Sequence, residues 1–368
     1  MNILIAFLIF SGIVLFHEFG HFIVAKANKI GVVEFSLGMG PRIISYMNTK
    51  EGKKVTFFKP SQYFEGKEEY GDHTVYSWKL FPFGGSCMMV GELEEDEAPN
   101  AFNNASIGGR IATIFAGPFF NFILGFFLAM ILIGSSGYSA ALIQGFTENS
   151  PMKQAGFQQG DVIQKIDHKK IVVDGELSYY LMFHPLRDKE VTVSASRQGQ
   201  TITKTITPVK NEEDGKYYLG VTHGGRIKGN IGQTVFYSAY EVKYWIDVTL
   251  QSLKQMVTGK ISLKEVSGPV GIVKAVDTVM DETKDEGISI QLLSVLNMAI
   301  LLTANLGVMN LLPIPALDGG RLLLLFLEAI RKKPLPQKIE EGINMGGFCA
   351  LMLLMVVIMV NDVIKLFH

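Results

Sequence analysis

The residues best suited to chemistry in this sequence are five in a row, His17-Glu18-Phe19-Gly20-His21. On a helix, positions i and i+4 share a face, so imidazoles at 17 and 21 can bind one metal ion. Glu18 follows the first of them and can reach a water at that metal as a general base. A zinc ion lowers the pKa of such a water to about 7, which makes hydroxide available at neutral pH to attack a peptide carbonyl. A zinc site of this type needs a third protein ligand and one open position. Asp318 is a candidate, in the loop-like run Pro313-Ile314-Pro315-Ala316-Leu317-Asp318-Gly319-Gly320 just beyond an apolar stretch. On spacing alone, a capping aspartate in a turn is the favoured reading.

The elements around these residues point to a membrane. The motif lies near the end of the apolar run Met1–Ala25, which has no basic region before it and no small-residue cleavage site after it. We read it as a retained transmembrane helix. A charged group near a bilayer centre costs about 2.5–3.5 kcal/mol on insertion scales, so ionisable residues there usually face a partner or a cavity. Further spans are expected at about Ile111–Ile133, Ile288–Leu312 and Ile343–Ile364, each near the roughly 20 residues a bilayer core needs. Composition agrees: 48% of the 368 residues are hydrophobic and 19% charged, against about 25% charged in soluble domains. The formal net charge of −1 leaves no basic excess to neutralise phosphates, which argues against nucleic acid as a partner. Cys87 and Cys349 are too far apart in sequence for a zinc-ribbon spacing, and both are expected as buried free thiols.

Between the spans the character changes. Val32–Leu37, Lys54–Phe58 and Thr74–Leu80 read as short strands, while 38–41 and 82–85 read as turns or loops. Glu92–Glu97 reads as a solvated acidic loop. Residues 138–223 look like an independent module with strands near Ala141–Phe146, Val162–Ile166, Glu190–Ser196 and Thr201–Pro208. Residues 224–286 read as an amphipathic helix and connector, its aromatics Phe236, Tyr240, Tyr244 and Trp245 serving packing or interfacial anchoring. A short helix over Arg321–Ile330 precedes the basic cluster Arg331-Lys332-Lys333. Asn305 and Asn310 need partners in or beside the third span, either another helix or an extended substrate backbone. For Asn121 in the second span, helix–helix bonding is the preferred reading. His73, His168, His184, His223 and His368 read as ordinary surface residues.

These landmarks together resemble a known family. Val14–Phe22 looks like the first-helix motif of the bacterial site-2 proteases, specifically the regulator-of-sigma-E protease type with one PDZ domain. The run Asn305–Gly320 is similar to that family's second motif, which supplies the third metal ligand. Phe35–Pro41, Leu80–Gly85, Ala116–Phe122 and Val266–Ile272 match intermediate landmarks, and Ser150–Ile163 looks like the loop and strand of a bacterial PDZ domain. The match covers essentially the whole length. Ser86-Cys87 departs from the Tyr-Val expected after the paired glycines.

The resemblance implies a polytopic α-helical membrane protein with about four transmembrane helices, a membrane-associated β-rich region and one inserted α+β PDZ domain. The expected division is helix 1 over residues 1–27, the β region over 28–105, helix 2 over 106–136, the PDZ domain over 138–223, a helix and connector over 224–286, helix 3 with the second motif over 287–320, a loop over 321–342 and helix 4 over 343–368. It implies a Zn2+ endopeptidase of regulated intramembrane proteolysis, with His17, His21 and Asp318 as ligands and Glu18 as base. Asn305, Asn310, Gly84 and Gly85 are the expected contacts to an unwound substrate. Expected partners are single-pass membrane proteins (anti-sigma factors or remnant signal peptides), membrane lipid, and peptide C-termini or extended segments at the PDZ domain. The basic cluster at 331–333 places the active site toward the cytoplasm and the PDZ domain outside. Two other readings compete: a non-catalytic membrane scaffold, which predicts no stoichiometric zinc, and a metal-ion transporter, which predicts metal flux.

Overall fold

The computed structural model describes residues 2–49, 52–60, 63, 74–92, 97–260, 262, 268–333 and 336–367. The chain forms two compact units, Met1–Leu128 with Thr249–His368, and Ala129–Val248.

The first unit opens with α1 (Asn2–Ala27), which carries the histidine motif in its second half. Its end is a left-handed cap. Lys29 has φ 61°, and Ile30 N donates back to the Ala25 carbonyl at 2.9 Å, which satisfies a carbonyl the helix would leave open. Ile30 is then buried.

The chain continues into β1 (Val32–Thr49), β2 (Gly52–Phe57) and β3 (Val75–Met89), in sheet order β2-β1-β3. The strands outrun the short segments expected from sequence. The two Gly-rich runs at 38–41 and 82–85, expected as loops, lie inside β1 and β3. Positive φ at Gly38 (84°) and Gly84 (77°) lets each strand bend sharply without ending its pairing. Ser36 thereby sits opposite both Ser86 and Ser77. Glu34, buried in this curl, takes two bonds from Arg42, at 2.7 and 2.9 Å, and lies 3.3 Å from Lys79. Burial alone would raise its pKa, but Arg42, Ser77 and Lys79 outweigh that and hold it below the ordinary carboxylate range. The next long apolar helix, α2 (Ile107–Ser136), contains Pro118. Of the acidic cluster expected as a loop, residues 93–96 lie outside the described residues, as do His73 and His368.

The second unit holds β4 (Tyr138–Ser139), β5 (Ile143–Phe146), α3 (Pro151–Gln154), β6 (Val162–Ile166), β7 (Lys169–Lys170), α4 (Asp174–Phe183), β8 (Val191–Arg197), β9 (Gln200–Ile206), β10 (Val209–Lys210), β11 (Tyr217–Tyr218), β12 (Val221–His223) and β13 (Arg226–Ile227). Strands run in order β7-β6-β8-β9, with β12 on β5 and β13 on β4. Met152, Phe157, Ile163, Leu177 and Val193 are fully enclosed in its apolar core. This unit extends past the expected 138–223 at both ends because the flanking helix ends pack on it. Tyr138 stacks on Tyr237 at 3.7 Å between ring centroids, Tyr240 donates to Glu176, and Gly175 leaves room for the Tyr244 ring. His223, expected as a plain surface residue, is half-buried with Nδ1 2.7 Å from Asp174 Oδ1.

The helix α5 (Ile231–Val257) leads back to the first unit, followed by α6 (Pro269–Glu282), α7 (Ile288–Asn310), α8 (Asp318–Arg331) and α9 (Gln337–Phe367). Val266 and Ser267 lie outside the described residues. In α9, Asp362 is buried and accepts from Gly268 N (2.8 Å) and Gly271 N (2.9 Å), so it caps α6. Among the described residues, four helices are long and apolar enough to cross a membrane: those at 3–27, 107–136, 288–310 and 338–365. None of the most apolar stretch of α9 is buried, and Cys349 on it is exposed rather than buried as expected.

Candidate active site

In α1, Ile13, His17 and His21 follow at intervals of four and are all buried. They form one stripe directed at α2. Close approach is possible because Gly20 has no side chain: a Cβ there would meet the Ala116 carbonyl at 2.5 Å and the Phe120 ring at 2.8 Å. His21 Nδ1 lies 2.8 Å from the Thr113 carbonyl, and His17 Nδ1 lies 3.1 Å from the Asn121 amide. Both Nε2 atoms turn inward and sit 3.2 Å apart.

Asp318 arrives from the far end of the sequence on α8. Sequence reasoning put it in a loop, whereas it occupies the first turn of a helix, where a carboxylate is favoured by the exposed N–H groups. Gly319 and Gly320 permit this, since a Cβ on either would strike carbonyls of Leu311 or Ile314. Leu322 and Leu325 share the Asp318 face and are buried with Ala25, Ile30, Val32, Met89, Phe102 and Ile114. That apolar cluster seats α8 against α1 and α2. Two ion pairs hold its register: Glu328 receives Arg110 at 3.1 and 2.5 Å, and Arg321 pairs with Glu92.

Asp318 Oδ2 consequently lies 3.1 Å from His17 Nε2 and 3.5 Å from His21 Nε2, buried and without hydrogen-bond geometry to either. The three side chains form a group able to hold a metal ion. Tetrahedral zinc with Zn–N near 2.0–2.1 Å spaces its ligand atoms about 3.3 Å apart, which matches the three edges observed. The space between them is kept by Gly117. A Cβ there would lie 2.8 Å from His17 Nε2 and closer still to His21 Nε2, crowding the coordinating nitrogens of both histidines. Donor set, spacing and cradle all fit zinc.

Glu18, half-buried, turns toward β3 and accepts from the Cys87 backbone N–H at 2.9 Å. This contact was not legible in the sequence, where Ser86-Cys87 stood out only as a departure. Beside it, the Cys87 thiol is pushed up to about 12 by burial and by the neighbouring carboxylates of Glu18 and Glu92, so it is a neutral thiol at physiological pH. Gly84 and Gly85 are both buried: Gly84 N donates to Ser11 at 3.2 Å, and Gly85 lies next to Glu18, whose Cγ a Cβ there would touch. Asn305 is engaged elsewhere, its Oδ1 accepting from Thr249 of α5, which is the helix–helix alternative. Asn310 is half-buried at the last position of α7.

A metal-ready triad of two histidines and an aspartate, one residue from a glutamate on an apolar helix, defines a class. The peptidase family M50 sequence pattern matches residues 5–354, and the chain belongs to that family. It is a zinc metalloprotease. It is 31% identical to the regulator of sigma-W protease RasP of Bacillus subtilis, over 100% of this chain and 99% of that one. It is 33% identical to a Clostridium acetobutylicum protein provisionally named as a zinc metalloprotease, over 99% and 97% of the two chains. The PDZ domain of the SdrC-like protein from Listeria monocytogenes overlaps 23% of this chain and 88% of its own at 16% identity, with a TM-score of 0.21, too distant to fix the fold of the second unit.

Proposed function

We propose that this protease cuts peptide bonds within or near the transmembrane segments of single-pass membrane proteins, such as anti-sigma factors or remnant signal peptides. His17, His21 and Asp318 hold the zinc and Glu18 moves the proton. The observation that carries this reading is the convergence of those three side chains inside a bundle whose helices otherwise expose apolar surface. Zinc supplies Lewis acidity toward the scissile carbonyl and an acidified water. Glu18, beside the three ligands, would serve as the proton carrier: its free carboxylate oxygen can hold a proton and pass it to the leaving nitrogen as the C–N bond breaks. The Cys87 N–H fixes one carboxylate oxygen of Glu18 and leaves the other free for this transfer.

A helical substrate hides its carbonyls and must unwind first. Gly84 and Gly85 of β3, beside Glu18, offer a strand next to the chemistry, and Asn310 lies on the loop side of α7. Asn305 enters only through its NH2 group, since Thr249 occupies its oxygen. The second unit docks peptide C-termini or extended segments in the manner of a PDZ domain. The basic residues 331–333 favour a cytoplasmic active site with the second unit outside, in a cell membrane crossed by the four apolar helices.

The test is cleavage of a tagged single-pass substrate in membranes by wild type and Glu18→Gln, with zinc measured in both. A variant that binds zinc and loses about 10²–10⁴-fold in rate supports the reading. A variant that cuts at the wild-type rate removes Glu18 from the mechanism. A wild-type protein without zinc under non-chelating conditions sinks the metal site.

A further inference from the structure

One face of α2 is built toward the histidines at every fourth residue. Thr113, Gly117 and Asn121 are all buried there. Thr113 offers its carbonyl to His21, Gly117 leaves the central space open, and Asn121 meets His17. A carbonyl can only accept, so His21 Nδ1 carries the hydrogen and Nε2 presents its lone pair to the centre. His17 needs the same arrangement if its Nε2 is to coordinate, and Nδ1 must then find an acceptor.

The Asn121 amide can supply one in only one orientation. With Nδ2 turned to His17, the hydrogen of His17 is forced onto Nε2, where it would point into the centre. In that orientation Asn121 Oδ1 is buried with no partner among the described residues. Amide oxygen and nitrogen are nearly isosteric and are assigned from their partners. No donor holds the oxygen at the far end of the amide, so His17 decides, and zinc chemistry demands the oxygen toward it.

We propose that Asn121 is a positioning residue of the zinc site: its amide oxygen accepts from His17 Nδ1–H and commits His17 Nε2 to the metal. This goes beyond the helix–helix role expected from sequence, and it rests on the reading of His17 as a zinc ligand. The backbone of Asn121 is itself pinned, since its carbonyl accepts from Thr303 of α7 at 3.0 Å. The side chain is therefore presented from a fixed point.

The experiment compares full-length wild type, Asn121→Ala and Asn121→Asp by chelator competition for zinc. Loss of an outer partner of a metal-bound histidine typically weakens metal affinity about 10–100-fold. That loss is expected for Asn121→Ala, with cleavage restored as free zinc is raised. Asn121→Asp keeps the shape and can only accept, so its zinc affinity stays within a few-fold of wild type. A residue acting as donor leaves the aspartate as weak as the alanine, and that overturns the proposal; a residue acting only through its shape is told apart by the ring-nitrogen readout that follows. So does an alanine variant as tight as wild type. Ring-nitrogen NMR of the zinc-loaded wild type, which needs no variant to fold, must find the hydrogen of His17 on Nδ1. Zinc on Nδ1 instead would overturn the proposal. Wild type without zinc would sink the metal-site reading itself, whereas wild type with zinc and Asn121→Asp without it sinks this inference alone.

Discussion

The two units invert each other's logic. Ala129–Val248 has an apolar interior built on Met152, Phe157, Ile163 and Leu177, and its buried Asp161 is paired with the partly exposed Arg197. The other unit buries His17, His21, Thr113, Asn121 and Thr303, while Leu8, Phe127, Leu353 and Val357 are exposed. In water the first pattern is stable because apolar area leaves solvent. In a bilayer, apolar surface facing lipid costs nothing, and polar groups must find partners inside. The interior of one unit is thus held by packing, and that of the other by an apolar cluster together with hydrogen bonds around a metal-ready centre.

The largest effect that sharpens this contrast is predicted at Gly117. Gly117→Ala puts a methyl against the Nε2 atoms of His17 and His21, so zinc content should fall to background and cleavage with it. Alanine is the better helix former by about 1 kcal/mol, so α2 should stay folded. Zinc analysis with helicity by circular dichroism checks both. Full zinc occupancy in this variant would break the assigned cradle.

A smaller effect is expected from hollowing the other interior. Phe157 is 2% exposed, and Phe157→Ala should cost about 3–5 kcal/mol, read as a lower thermal midpoint of this unit in the full chain. The zinc affinity of the same sample should be unchanged, because no ligand or ligand partner lies in Ala129–Val248.

The smallest is a pH effect in the same unit. Arg197 holds the Asp161 carboxyl below its ordinary value, against burial and helped by the Gln158 N–H. A group depressed on folding binds protons more tightly when unfolded. Its contribution is therefore complete above the ordinary carboxylate value of about 3.9 and fades as pH falls toward the depressed native one. Melting of this unit between pH 6 and 3 should lose part of its slope in Asp161→Asn. An unchanged slope would show that other carboxylates govern it.

How much of this was legible without coordinates differs by residue. The four apolar helices follow from composition alone, and their ends moved by only a few residues. The common face of His17 and His21 follows from the helical repeat. The bends in β1 and β3 were misread because glycine runs signal loops as readily as they signal bent strands. Glu18 against Cys87, 69 residues away, and His17 against Asn121, 104 residues away, had no local signal at all.

The sequence by itself determined which segments are apolar, which residues could bind a metal, and that two of them share a helix face, because these depend on side-chain type and on a fixed 3.6-residue repeat. Only the tertiary structure decided that Asp318 joins them, that Gly117 leaves the centre open, and that α2 rather than solvent satisfies the outer nitrogens of both histidines. Those facts depend on how α1, α2 and α8 pack, through the Leu322–Leu325 cluster and the Arg110–Glu328 pair. Packing is a property of surfaces meeting across long sequence separations, which no local periodicity records.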